Sequence, residues 1–470
     1  MTPAPVHAIN GAVISQLVFL ALYVGAQLAI GLWISRRVQS EADYLVAGRS
    51  LGPWMTSAGV FATWFGAEAC VGAAGQVYAH GLFAAASDPF GYGIALIVFG
   101  LILAAPLFRR GLMTLADLFR ERFSERTERL VAWLMIPGSL LWASAQMKAL
   151  GQILSGTLGL DFTTALLCAS AACILYTSVG GMLADAYTDL IQGSVLVVSV
   201  LTLGAFALLK ASPETLAAAF SPTPLSDPPK DLRLSLEAWI IPIVGSLAAQ
   251  ELAGKAFAAR SATIARGATI AAGLVYLAVG AVPVALAALA RVEMPGIEAQ
   301  DQIIAMIAVE HLGEYGRLLF VGALLAAILS TVDSALLAAG GLFSRNVLGG
   351  LHLSSAPSRL LISRASVASF GIVAVFLALR GDSVHSLVFE ASAFASAGIV
   401  VSLLFGVFTR LGGRRAAKAT LLIGTAGYAL FAHVLQIGTP YLASLALSAW
   451  IYLAVSVFER ARERADLVGA

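Results

Sequence analysis

Apolar runs of about 20 residues, each bounded by charged or turn-forming residues, recur along nearly the whole chain. Runs of that length cross the hydrocarbon core as helices. The pattern predicts thirteen spans, at about 11–35, 54–78, 88–108, 128–156, 161–181, 186–209, 236–257, 268–290, 317–344, 360–379, 385–409, 418–436 and 439–458. The segment "MTLADLFRERFSERTERL" (113–130) is too charged to insert. Its apolar residues repeat at helical spacing, which predicts a short cytoplasmic amphipathic helix. Two connecting loops are long. One, 210–235, is rich in proline; the other, 291–316, carries Glu293, Glu298, Asp301, Glu310 and Glu314 and reads as a solvated surface helix.

Composition agrees. The 470 residues are 59% hydrophobic and 12% charged, with a mean hydropathy of +0.87, whereas a soluble domain carries about 25% charged residues. The chain is therefore read as an all-α polytopic protein whose partner is the lipid bilayer. A net charge of +2 gives no electrostatic case for nucleic acid. Of the 29 Lys and Arg, 22 fall in one alternate set of loops, Lys255 among them, and Lys148 lies inside a span. By the positive-inside rule this puts the N-terminus outside and the C-terminus in the cytoplasm, as expected in a plasma (inner) membrane. No cleavable signal peptide is apparent, since residues 1–10 carry no Lys or Arg. Cys70, Cys168 and Cys173 lie in apolar runs and read as small hydrophobes.

Three spans are unusual. "FATWFGAEACVGAAGQVYAHG" (61–81) combines Gly66, Gly72 and Gly75 with Trp64 and Glu68. Glycine weakens a helix, and unwound backbone survives at membrane depth only where it lines a cavity or is buried in protein. A carboxylate there costs about 2.5–3.5 kcal/mol on insertion scales and marks function by default. Glycine packing faces would explain the glycines but not their charged and aromatic neighbours. The second span, "LEAWIIPIVGSLAAQELAGKAF" (236–257), is interrupted by Pro242, Gly245 and Ser246 before Gln250 and Glu251. The two lie five spans apart, so successive five-helix units have opposite orientation, the inverted-repeat layout of secondary transporters. The third span, 324–347, places Ala327, Ser330 and Thr331 on one helix face at i, i+3 and i+4, followed by Asp333 and Ser334. Adjacent hydroxyls suit a hard monovalent cation, although such hydroxyls often bond back to their own helix.

These residues resemble the sodium:solute symporter family. "SAGVFATWFGAE" resembles its broken first core helix, and "GLMTLADLFRERF" its cytoplasmic T-L-x-D segment. "YTSVGGMLADAYTDLIQG" (176–193) resembles its Y-T-x-x-G-G-x-x-A…T-D-x-x-Q motif, and "AAILSTVDSALL" its sodium-site helix. The resemblance implies one transporter domain over 1–470 with a 5+5 inverted-repeat (LeuT-like) core. That core would comprise 54–209 and 236–409, with an extra helix at 11–35 and two more at 418–458. It implies Na⁺ as coupling ion, held by the carbonyls of Ala62, Phe65 and Ala327 and the hydroxyls of Ser330 and Thr331. Asp189 would line the sodium exit, with Asp185 a helix cap nearer the loop.

"ATW" (62–64), "DPFGY" (88–92) and "LLWASA" (140–145) are similar to the high-affinity choline transporter branch of that family. There, aromatic residues cage a quaternary ammonium. The implied substrate residues are Trp64, Glu68, Tyr92, Trp142, Gln146, Gln250 and Glu251, with Ala249 standing where the branch has Trp. The expected substrate is a small organic solute, an ammonium-bearing cation or zwitterion; alternatives are an amino acid, sugar or carboxylate, or a ligand sensor on the same scaffold. Lys148, six residues after Trp142, reads most plainly as a lysine paired with an intramembrane carboxylate, for which Glu68 and Glu251 are two candidates that the sequence does not place. No H-E-x-x-H occurs and the six histidines lie in loops or near span ends, so no enzyme is expected. No obligatory protein partner is evident.

Overall fold

The structure, a computed structural model, describes residues 25–27, 29–220, 232–297, 303–349, 356–381 and 384–468, with two isolated residues before them. No β-strand occurs among these residues. Among the described residues, eight helices are long and apolar enough to cross a membrane, or nine if the bent pair Leu232–Ala248 and Gln250–Ala258 is one span.

The thirteen expected spans map onto this set with instructive differences. The span at 11–35 lies largely outside the described residues. The next is divided into α1 (Pro53–Trp64), a wide turn Glu68–Gly72, and α2 (Ala73–His80). The third is carried by Leu82–Arg109, within which α3 is Tyr92–Phe99. After the short α4 (Leu115–Arg122) comes the long α5 (Glu125–Leu158). The spans at 161–181 and 186–209 are two helices that meet at Gly181, whose φ/ψ of 61°/−169° is not helical; together they are labelled α6 (Phe162–Lys210). That conformation is easily reached only by glycine, and helix resumes directly after it.

The second broken span comprises α7 (Leu232–Ile240), a wide turn Ile241–Gly245, and α8 (Gln250–Ala258). The helices α9 (Ala262–Glu293) and α10 (Ile303–Gly341) follow. The acidic segment is partly folded into the start of α10. There Ile303, Ile304 and Ile307 are buried, Val309 is exposed, and Gly313 breaks the helix before the membrane run. This is a packed amphipathic segment more than a solvated one; Glu298 and Asp301 lie outside the described residues. Then come α11 (Ala356–Arg380), α12 (Val384–Ala393), α13 (Ser396–Phe408), α14 (Arg414–Ala429) and α15 (Pro440–Val468). The expected span 385–409 is thus interrupted at Ala395, φ 60°.

Burial identifies the centre. The span Phe320–Val347 is 94% buried, against 28% for Pro440–Ala461. Only a helix wrapped by protein on every side can afford Ser330, Thr331, Asp333 and Ser334 in one turn, all buried. The helix α10 packs against α5, α6 and α1. The amphipathic α4 behaves as its pattern predicts. Thr114 and Asp117 form a capping box, Leu115, Leu118 and Phe119 turn inward, and Arg120 and Glu121 face out. The two broken spans meet near α4: Leu51, just before α1, donates to the carbonyl of Ala258 (3.0 Å), and Arg260 N donates to Leu51 O (2.9 Å).

Candidate functional site

The helix α1 ends at Phe65, whose φ/ψ of −82°/72° is not helical. The Phe65 N–H still reaches Phe61 O (2.8 Å), and Gly66 N turns back to Trp64 O (3.0 Å). Ala67 N–H, at the start of the next segment, is taken by Gln146 Oε1 of α5 (2.9 Å). Gly66 is required by space. A Cβ there would lie 2.7 Å from Gln146 Oε1 and 3.1 Å from Thr331 Oγ1. The break is therefore held open by two side chains from other helices.

One of those, Thr331, meets two of the other expected sodium ligands. Its hydroxyl lies 3.0 Å from Ala327 O, its own helix, and 3.4 Å from Ala62 O across the interface. Ala62, Phe65, Ala327, Ser330 and Thr331 are all buried. Uncharged carbonyl and hydroxyl oxygens converging from two helices are the donor chemistry a hard monovalent cation takes, so these residues fit sodium. Ser330 turns the other way and donates to Asp189 Oδ1.

Behind Ser330 lies a charge cluster that the sequence pattern conceals. Asp185 and Asp189, one turn apart on α6, both bond Lys255 Nζ of α8. Ser334 Oγ is 3.4 Å from each oxygen of Asp185 and 2.9 Å from Thr63 Oγ1 of α1. Thr177 donates to Asp333. Lys255 is 1% exposed, so it is not the loop cation that hydropathy suggests, and Asp185 is an interior ion-pair partner and not a cap. Three aspartates inside apolar runs, with no cation assigned to them, are the sequence signal for a hidden lysine.

The aromatic residues form a second group beside the break. The Trp64 and Trp142 rings are 5.7 Å apart, and Tyr92 meets Trp142 edge-on at 5.8 Å. Tyr92 and Ser392 share a hydrogen bond of 2.8 Å. Trp64 and Trp142 line a cavity of about 60 Å³, together with Ser139, Ala249, Glu251 and Ser392. Pockets for drug-sized ligands are about 300–1,000 Å³, so this cavity is small by comparison. Glu68 is not on that wall; its carboxylate folds against Gly72, where a Cβ would meet Oε2 at 2.6 Å. Gln250 is on the wall, but its Oε1 accepts the Leu115 N–H at the start of α4 (2.7 Å). Lys148 pairs with neither Glu68 nor Glu251. Its ammonium reaches Ala378 O (3.4 Å), in the last turn of α11, and lies over the Phe162 ring (5.3 Å). Helix ends carry partial negative charge, which is what an ammonium seeks.

A polar network ties α4 to its neighbours. Asp117 accepts from Arg345 and Asn346 Nδ2 (2.9 Å), Asn346 also donates to Glu128 (2.7 Å), and Arg120 bonds Glu128 (2.6 Å).

The same fold occurs in solved secondary transporters. A substrate-bound, outward-open Na⁺-coupled sialic acid symporter superposes with a TM-score of 0.80 at 15% identity, over 94% of this chain and 97% of that one. A nucleobase-cation-symport-1 family transporter, closed with bromovinylhydantoin bound, gives 0.64 at 15% identity, over 90% and 96%. The model of the sodium:solute symporter family matches residues 44–424, and the chain belongs to that family. It is a family of transporters, not enzymes, and sodium is its coupling ion. Similar curated proteins include high-affinity choline transporter 1 of Drosophila melanogaster, 27% identical over 391 residues, or 80% of this chain and 64% of that protein. That of Torpedo marmorata is 27% identical over 462 residues, or 91% and 77%. The sodium/proline symporter of Escherichia coli (strain K12) is 27% identical over 196 residues, or 40% and 38%.

Proposed function

We propose that the chain is a sodium-coupled symporter of a small ammonium-bearing solute, working by alternating access. The observation that carries this reading is the junction at Phe65–Gly66. On one side of it, Ala62, Ala327 and Thr331 converge, and they would hold sodium together with Phe65 and Ser330. On the other, Trp64 and Trp142 line a cavity, with Tyr92 packed edge-on against Trp142. One break in one helix thus belongs to both an oxygen shell and an aromatic group, so occupation of either constrains the other. Aromatic faces attract a cation by about 0.5–2 kcal/mol each. Ala249 leaves one side of the group without a ring, while Glu251 and Ser139 supply polar atoms there. That composition favours an amine with N–H donors over a fully alkylated ammonium.

The two five-helix repeats at 54–209 and 236–409, with two further helices at 418–458, are the proposed organisation, supported by the pair of broken spans. The basic-residue bias supports an outside N-terminus and a cytoplasmic C-terminus in a plasma membrane, even with Lys255 removed from the loop count. Asp189 is proposed to line the sodium exit, since its carboxylate bonds Ser330 beside the shell.

The test is uptake and counterflow in proteoliposomes under an inward sodium gradient, against a panel of quaternary ammoniums, primary and secondary amines, amino acids, sugars and carboxylates. Sodium-stimulated uptake of an amine or zwitterion is expected, with Trp64→Ala weakening solute binding by about 2- to 30-fold, the range of one cation–π contact. Saturable uptake of a sugar or monocarboxylate, indifferent to amines, would overturn the substrate class. Binding without counterflow would favour a sensor.

A further inference from the structure

Among the described residues, Lys255 is the one buried ammonium with two carboxylate partners, and the sodium reading gives it no task. It projects from α8, the second half of the second broken span, into α6, where Asp185 and Asp189 close on it. Hydroxyls of α10 complete the surroundings, with Ser330 on Asp189 and Ser334 beside Asp185. Gly59 of α1 closes the fourth side, its lack of a Cβ making room for the pair, since a Cβ there would lie 3.3 Å from both Asp189 Oδ2 and Lys255 Cδ. An ammonium donates three hydrogen bonds and accepts none. It therefore selects a shell of oxygens, as a hard monovalent cation does.

The local charge is not balanced by Lys255 alone. Asp333, wholly buried on α10, is a third carboxylate in this region; it is bonded by Thr177, and its Oδ2 has no hydrogen-bond donor among the described residues. Buried charges persist when paired, and for Asp185 and Asp189 the chain supplies the cation covalently. The position is continuous with the proposed sodium shell, because Asp189 is joined through Ser330 to the neighbour of Thr331.

We propose that Lys255 is a tethered cation filling a second cation site, formed by Asp185, Asp189, Ser330 and Ser334, so that the chain takes up one free sodium ion where it would otherwise take two. This rests on the sodium shell proposed above at Ala62, Phe65, Ala327, Ser330 and Thr331, with Ser330 common to both positions. Removing the ammonium while keeping the carboxylates should open the position to sodium.

The experiment is direct equilibrium binding of radioactive sodium to the purified full chain, alongside the sodium dependence of uptake. The parent protein is expected to bind one sodium ion, and Lys255→Met two, with the Hill coefficient for sodium rising from about one to about two. Lys255→Arg should keep the parent count, and Lys255→Met/Asp185→Asn/Asp189→Asn should return to it. Should Lys255→Met fail to fold, the charge-matched Lys255→Met/Asp185→Asn decides. It leaves the Asp189 carboxylate without a cation and should gain the ion at reduced affinity. A folded variant of either kind that binds no more sodium than its parent overturns the proposal, as does a parent that already binds two ions. A parent that binds none overturns the sodium shell instead, while a gain of one ion in Lys255→Met would still support the site at Asp185 and Asp189.

Discussion

The two broken spans solve the same problem in opposite ways. In the first, backbone is freed at Phe65–Gly66, and side chains from elsewhere come to it: Gln146 takes the Ala67 N–H and Thr331 reaches Ala62 O. In the second, the chain breaks at Ala249, φ/ψ −74°/125°, and its side chains go out. Gln250 caps α4, and Lys255 reaches the aspartates of α6. The first break is a receiver of contacts and offers neutral oxygens; the second is a donor of contacts and delivers charge. A chain that used the same device twice would duplicate one site. Using complementary devices lets the two halves interlock, with the Leu51–Ala258 and Leu51–Arg260 bonds fastening their ends.

Substitutions can break that contrast. Gly66→Val should have the largest effect, because its added carbons meet Gln146 and Thr331 together. Overpacking costs about 1–3 kcal/mol, and since the expense falls on the junction itself, sodium-driven uptake should be lost while protein is still recovered from the membrane. Recovery of parent-like uptake would show that the junction is not where ion and solute meet. Thr331→Val keeps the shape and removes one oxygen. It should raise the sodium concentration for half-maximal uptake about tenfold, which is about 1.4 kcal/mol, with a smaller change in solute affinity at saturating sodium. Gln146→Leu leaves the buried Ala67 N–H without its acceptor, a loss of about 1–3 kcal/mol. A lower unfolding midpoint in detergent is expected, accompanied by weaker sodium binding. Gln250→Leu should be mildest, about 0.5–1.5 kcal/mol for one hydrogen bond at a helix start. It should leave sodium affinity at the parent value, and a sodium phenotype as strong as that of Thr331→Val would erase the distinction between the two breaks.

The all-helical fold was legible because hydrophobic run length alone separates spanning segments from connections. The first break was legible too, since Gly66 and Glu68 contradict an ordinary lipid-facing helix. The roles of the two glutamines were not. Gln146 and Gln250, expected at the solute, each accept a backbone N–H through Oε1, and nothing local in the sequence announces that second task. Lys255 escaped for a related reason. A basic residue near the end of an apolar run looks like a loop cation, and its partners lie 66 and 70 residues away. Lys148 was paired with carboxylates by charge alone, whereas a helix end and an aromatic face hold it.

The placement of the indoles has a practical consequence. Trp33, Trp54, Trp133 and Trp450 are each more than half exposed on the outer surface, while Trp64 is buried beside Trp142. In bilayers of brominated lipid, collisional quenching would darken the peripheral emitters that contact the acyl chains and spare the inner couple. With the half-buried Trp239 replaced by Phe, the residual emission would then be weighted toward the pair at the cavity wall, so the protein carries its own optical gauge of that cavity opening and closing.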